Sequence, residues 1–233
     1  TDDRTHLPKA ENQGVVGVDL GIKALATLST GETITGPKPL KRLMNRLQRL
    51  SRSLSRKVKG SNNRNKAKKK LSLLHAKIAN IRSNALHQLT TSLTSRFHTI
   101  GIEDLNVKGM VKNRKLSRAI NDMGFFEFRR QLEYKSELRG GLVVVADRFY
   151  PSSKTCSACG EKLDVLPLST REWQCPSCHT HHDRDLNAAI NLANYAVSST
   201  VSACGGDGSG SVCKNKTKPA PAKQEVNTKL NYG

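Results

Sequence analysis

Two C-x2-C pairs fifteen residues apart, Cys156/Cys159 and Cys175/Cys178, limit what this chain can become more than any other feature. Each pair folds into a tight knuckle offering two thiolates to one side of a tetrahedral ion, and the doubled pattern is that of a zinc ribbon. Gly160 and Pro176 suit those knuckles. His179, His181 and His182 crowd the second pair, but four thiolates already complete a closed site. Such a site has no position for water or substrate, so the predicted Zn2+ holds shape; structural zinc contributes about 10–16 kcal/mol to the folding of small modules. No signal peptide, transit peptide or apolar span of membrane length is legible, so the expected location is cytoplasmic, with reduced thiols and no membrane partner.

Directly after the second knuckle, Leu186, Ala189, Ile190 and Ala193 recur at helical spacing, predicting a helix with Asp183 and Asp185 in its first turn. Acids there are stabilising as caps alone. They gain a second meaning from two other carboxylates. Residues 14–20, GVVGVDL, read as a strand covered on both faces and containing Asp19 near its end; residues 97–103, FHTIGIE, read as another, ending in Glu103. An acid at the end of a buried strand is costly unless paired, protonated or bound to a cation. Gly17 lies two before Asp19 and Gly101 two before Glu103, so each carboxylate is expected to have a bare neighbour on its own face, leaving room for ions and a phosphate. Asp104 is expected to point the other way, as a turn or capping residue.

Between these strands the period changes. Strands at residues 24–29 and 32–35 flank a Thr30-Gly31 turn, and then Leu40, Leu43, Leu47, Leu50 and Leu54, followed by Leu71, Leu74, Ile78 and Ile81, step by three and four. Two long helices in an antiparallel hairpin explain this pattern. Their outer faces carry Arg42, Arg46, Arg49, Arg52, Arg56 and Lys57, then Arg64, Lys66, Lys68, Lys69 and Lys70, with almost no acids between them. Over the whole chain, 39 Lys and Arg face 19 Asp and Glu, a formal charge of +20 in 233 residues. Repulsion on that scale calls for a polyanion, and nucleic acid is the expected partner. The basic stretch 106–115, with Lys108 and Lys112, is expected to be a flexible loop that grips a backbone near Glu103. A helix at 125–138 and a buried strand at 141–146 precede the ribbon.

The order of strands, helical insertion, strand, helix, strand, ribbon and helix is that of an α/β domain, in which functional groups gather at strand ends. Asp19, Glu103 and Asp185 lie at two strand ends and a helix start. Hard oxygen donors in a basic chain suit Mg2+ or Mn2+, and two such ions about 4 Å apart would activate water and stabilise the leaving oxygen in phosphodiester cleavage.

GVDLG with Asp19, IEDLNVKGM with Glu103, the paired C-x2-C motifs and DRDLNAAINL with Asp185 resemble the RuvC-like nuclease and zinc-ribbon portion of the transposon-encoded TnpB (OrfB zinc-ribbon) family, relatives of compact type V CRISPR effectors. The resemblance spans residues 14–196. It implies an RNase H-like (RuvC-like) mixed sheet in the order 3-2-1-4-5, with an inserted basic helical hairpin and an inserted zinc ribbon. Asp19, Glu103 and Asp185 would be the catalytic metal-binding acids, with Asp183 left as a cap, and the activity would be RNA-guided cleavage of DNA beside an insertion sequence. The corresponding division is an N-terminal remnant or linker at 1–13, a nuclease core at 14–150 with the hairpin at 38–96, the ribbon at 151–181, a last core helix at 182–198 and a disordered tail at 199–233. Family members carry an N-terminal region that binds guide RNA and reads a flanking DNA motif; this chain starts close to its first catalytic strand and is expected to be part of a longer protein. Two other functions use the same features: a catalytically inactive nucleic-acid-binding or repressor module, and a strand-transfer transposase.

Overall fold

The computed structural model describes residues 10 and 12–204. In chain order its elements are β1 (Asn12–Asp19), β2 (Ala26–Leu28), β3 (Thr33–Ile34), α1 (Pro39–Ser55), α2 (Asn62–Arg96), β4 (Phe97–Glu103), α3 (Val107–Val111), α4 (Ser117–Met123), α5 (Phe125–Leu138), β5 (Leu142–Ala146), β6 (Glu172–Gln174), β7 (His181–Asp183) and α6 (Arg184–Cys204). Five strands form a mixed sheet in the order β3-β2-β1-β4-β5, the order that the resemblance implies. β1 runs parallel to β4 and β4 parallel to β5, while β1, β2 and β3 alternate in direction.

Side-chain alternation assigns the two faces of this sheet. Val16 and Val18 on β1 and Ile100 and Ile102 on β4 are fully buried in one cluster with Leu86, Leu93, Phe128 and Leu132 of α2 and α5. Apart from Phe97 at the very start of β4, which joins the same cluster, residues of opposite parity face away from it. On β1 and β4 these are Gly17, Asp19, Gly101 and Glu103, and the helix that covers the glycines is α6. The sheet is therefore a middle layer, with α2 and α5 on one side and α6 on the other.

The helical hairpin is present as α1 and α2, whose 52 residues contain no Asp or Glu. Ser61 caps α2 through its side chain, accepting from the Arg64 N–H at 3.2 Å. The start of α1 is capped from far away: Asp122, buried on α4, accepts from the N–H groups of Leu40 and Lys41 at 2.9 and 3.0 Å. That carboxylate fixes the root of the hairpin to the core.

Two expectations change, and one helix was not anticipated. Residues 106–115 are not a loop throughout, because Asn106 accepts from the Gly109 N–H at 3.0 Å and starts α3, a single short turn of helix. α4 lay hidden because only Ile120, Asp122 and Met123 of its seven residues are buried, too few for a helical period to stand out. The last helix continues to Cys204, six residues past its expected end. Residues 1–9 and the rest of the expected tail, 205–233, lie outside the described residues. Among the described residues no helix is long and apolar enough to cross a membrane.

Candidate functional site

Glycine brings the three acids together. A Cβ added to Gly17 would sit 1.8 Å from the Ala189 carbonyl oxygen, and one on Gly101 would sit 2.4 Å from that of Leu192. These glycines are paired neighbours on β1 and β4, so they form a trough into which the backbone of α6 sinks. Ala188, Ala189, Leu192 and Ala196 are almost fully buried there. The bare faces expected to leave room for ions and a phosphate are filled by a helix, because two adjacent strands without side chains form the closest docking surface a helix can find.

The trough sets the level of the carboxylates. Asp19 lies two residues beyond Gly17, about 6.6 Å along a strand. Asp185 lies four residues before Ala189, about 6 Å along a helix. Both therefore reach the same edge of the sheet, and Glu103 leaves β4 one step past the Val18–Ile102 pair, beside Asp19. Burial raises the carboxyl pKa of Asp19 well above its usual range, and the neighbouring charges of Glu103 and then Asp185 raise it further against Arg184 and Arg171. The three acids thus share one electrostatic neighbourhood. Among the described residues the four cysteines are the group of potential metal ligands that gathers closely, with their sulfurs all within 4.8 Å of one another.

Each acid has distinct surroundings. The Ser152 hydroxyl donates to Glu103 Oε1. Arg171, on the ribbon just before β6, places Nη1 3.2 Å from Asp185 Oδ1, while its own carbonyl accepts from the Arg184 N–H at 2.7 Å. Asp183 accepts from the Leu186 N–H at 2.9 Å and so acts as the cap of α6. Asp104 is neither turn nor cap. Its carboxylate bridges Arg129 Nη1 at 2.8 Å and Arg148 Nη2 at 2.6 Å, and the hydrogen bond from Arg148 leads the effects that lower its pKa.

The four sulfurs fit a tetrahedral ion. Zn–S bonds of about 2.3 Å place tetrahedral sulfurs about 3.8 Å apart, and the Cys156–Cys178 and Cys159–Cys175 separations are both 3.6 Å. The two knuckles match each other: Gly160 and His179 each follow a second cysteine, take left-handed backbone conformations at φ 82° and 58°, and donate their N–H to the first cysteine's carbonyl. His179 is thus a turn residue and His181 is exposed. His182 lies 3.0 Å from Cys156 Sγ and stacks on Trp173, with burial lowering its pKa. A neutral imidazole there can donate to the thiolate without replacing it.

Asparagines carry this rigidity to the acids. Asn187 accepts from the Ser157 N–H at 2.9 Å and donates to the Thr155 carbonyl at 2.7 Å, and Asn191 donates to the Thr155 and Ser152 carbonyls at 2.6 and 2.7 Å. The first knuckle is thereby clamped to α6, and Ser152 is held against Glu103. Sequence reasoning missed Ser152, Arg171, Asn187 and Asn191; the two asparagines inside the apolar run of α6 were the available signal, since a buried amide needs partners.

The expected phosphate-binding residues divide. Arg42, Arg46, Arg49, Arg52, Arg56, Lys66, Lys68, Lys69 and Lys70 are exposed along the hairpin, and Lys57 is half-buried. Arg64 differs: its Nη1 donates to the Leu54 and Lys57 carbonyls at 3.1 and 2.9 Å, closing the end of α1. Lys108 and Lys112 are exposed on and just after α3, and Lys108 lines a cleft shared with Glu103.

A family of probable transposases, OrfB_IS605, matches residues 1–114, and the Cas12f1-like TNB domain matches residues 125–192. A candidate RNA-guided DNA endonuclease of Streptomyces pristinaespiralis is 47% identical over 201 residues, which cover 86% of this chain and 49% of that protein. The similarly named InsQ of Escherichia coli K12 is 37% identical over 220 residues, 88% of this chain and 54% of InsQ. The chain spans about half the length of these curated relatives. A cryo-EM structure of a Cas12f1–sgRNA–target DNA complex superposes with a TM-score of 0.53 at 18% identity, covering 77% of this chain and 49% of that one, which is a likeness of fold.

Proposed function

We propose that this chain, a relative of the transposon-encoded TnpB (OrfB) proteins, is the nuclease portion of an RNA-guided DNA endonuclease of an insertion-sequence element. The sheet, with α2 and α5 on one face and α6 on the other, is read as an RNase H-like core. The hairpin at 38–96 and the zinc ribbon at 151–181 are read as its insertions, and α6 as its last helix. The partners are DNA and a guide RNA.

Asp19, Glu103 and Asp185 would hold Mg2+ or Mn2+, and an all-carboxylate donor set with one member pushed toward its neutral form by burial and then by the other two suits such a cation. Bound divalent ions would supply an activated water and charge stabilisation at the leaving oxygen. The protein's own part is positioning. α6 delivers Asp185 to the strand ends, Ser152 orients Glu103 by donating to one carboxylate oxygen, and Arg171 orients Asp185. Half exposed in its side chain, Arg171 also offers a guanidinium to a phosphate. Four cysteines would hold Zn2+ away from the reaction, where it fixes the knuckle that the asparagines tie to α6. The exposed cations of α1 and α2 would neutralise backbone phosphates, so binding should weaken steeply with salt.

The glycine trough supports this reading, because a helix seated in it brings Asp185 toward the level of Asp19, 166 positions away in the sequence, at one sheet edge. The test is Mg2+-dependent cutting of single-stranded or guide-paired DNA. Asp19→Ala and Glu103→Ala should each abolish it; cutting unchanged by both substitutions rejects the assignment.

A further inference from the structure

A cleft of about 260 Å³ opens beside Glu103. Its wall is mostly apolar and includes Leu20, which directly follows Asp19, together with Leu105, Val107 and Phe126. Phe126 is the anomaly. Its neighbours on α5, Phe125 and Phe128, are 3% and 0% exposed in the core, whereas Phe126 is 71% exposed. Single exposed apolar residues are common and carry no message by themselves. This one forms the side of a recess that also contains a proposed catalytic carboxylate and Lys108. Arg129 and Arg148 stand at the same recess, held in place by the Asp104 bridge.

We propose that this cleft is a stacking subsite for one unpaired nucleobase adjacent to the phosphodiester being cut, with the base against Phe126 and its backbone passing Lys108. The inference rests on the nuclease reading for its position and on the cleft for its ligand. A flat ring beside an apolar wall suits the π-face of any base, and a nearby ammonium suits the phosphate that accompanies it. A base within a duplex is already stacked on both sides, so the subsite selects a strand that is single at this point. Stacking reads no base edge, so the subsite holds position without demanding a sequence at that nucleotide.

Single-stranded dT oligomers and fully abasic oligomers of equal length, bound to the 233-residue chain with no Mg2+ or Mn2+ added and no chelator, test this without any cleavage. Phe126→Ala should weaken dT-oligomer binding by about fivefold or more, the low end of aromatic–base stacking, and leave the abasic oligomer and the salt slope unchanged. Phe126→Leu should resemble Phe126→Ala. Phe126→Trp should retain affinity, and its emission above the Trp173 background should be quenched by the dT oligomer and not by the abasic one. Equal losses for both oligomers, no loss for either, or a Phe126→Trp signal indifferent to bases would overturn the subsite. Far-UV circular dichroism of each variant should match the parent, since the ring is mostly outside the core. The two levels separate cleanly. If Asp19→Asn abolishes cutting while Phe126→Ala binds like the parent, the subsite is wrong and the nuclease stands. If the chain never cuts yet Phe126 discriminates bases, the subsite stands in a binding protein and the nuclease reading falls.

Discussion

Replacing Gly17 by alanine puts one methyl group where the structure has the backbone of α6. The new Cβ would lie 1.8 Å from the Ala189 oxygen and 2.5 Å from the Ala193 nitrogen. No rotamer can relieve this, because both obstacles belong to the interior of a helix. Ordinary contact begins near 3.4 Å, so α6 must retreat by about 1.6 Å. Overpacking of a tight core costs about 1–3 kcal/mol and occasionally more. With the helix also lifting Ala188, Ala189 and Leu192 off the sheet, the upper end applies, about 3 kcal/mol. For a domain of this size that lowers Tm by about 6–12 °C. Activity should suffer more than stability, because Asp185 rides on the displaced helix one turn from Ala189, and a misplacement of about 1 Å in a reacting group costs about 100-fold. Calorimetry and single-turnover cleavage well below the variant's Tm separate the two effects. A Gly17→Ala protein with parental Tm and parental cleavage would refute the trough. One that melts early but cuts normally when folded would refute the claim that the trough sets the level of Asp185.

Other perturbations act at separate points. Chelating zinc, or replacing Cys156 by serine, should unfold the ribbon and shift the emission of Trp173, the chain's one tryptophan, to the red, since Trp173 is buried against Cys156 and Cys175; unchanged emission in excess chelator would speak against a structural ion. Asp19→Asn should stabilise the protein at neutral pH in the absence of Mg2+ and Mn2+. The native carboxyl pKa is raised, so the native state binds the proton more tightly than the unfolded chain does, and stability from this group falls as pH rises from the unfolded value near 3.9 through the native one. The gain from asparagine should therefore fade on acidification, and urea titrations across pH that find Asp19→Asn destabilising at neutral pH would contradict this. Arg46→Ala and Arg64→Ala should part company: the first should lower the slope of log K against log salt by about 0.9 on duplex DNA, whereas the second should lower stability by about 1 kcal/mol by removing the side-chain donor of the Lys57 carbonyl and one of the donors of the Leu54 carbonyl, which keeps the Lys57 N–H. Filter binding over a salt series, with a thermal melt of each variant, distinguishes them.

What the sequence made legible was what depends on local pattern. β4 and α5 occupy the expected residues, 97–103 and 125–138, because strong periodicity is bounded there by clear changes of composition. The hairpin followed from its leucines, and the four-cysteine knuckles from cysteine spacing. The errors lie where a residue's work is done across distance. Gly17 and Gly101 invited a guess of empty space, since nothing local indicates that a helix from residues 184–204 fills it. Arg64 looks like every other cation in its run until the fold brings the end of α1 beside it. Asp104 finds its arginines 25 and 44 residues away. Arg171 reaches Asp185 across the second knuckle, from a segment whose charge carries no period. α3 and α4 were missed because seven residues or fewer hold too little of a repeat to be recognised.

The account rests on Asp19, Glu103 and Asp185 forming one divalent-cation site, and anomalous diffraction from crystals soaked in Mn2+ examines that without reference to activity. Manganese peaks should appear between these three carboxylates and disappear in Asp19→Asn, while the four-cysteine site keeps its own metal. Manganese bound elsewhere, or absent from these acids at concentrations that occupy ordinary carboxylate sites, would contradict the account.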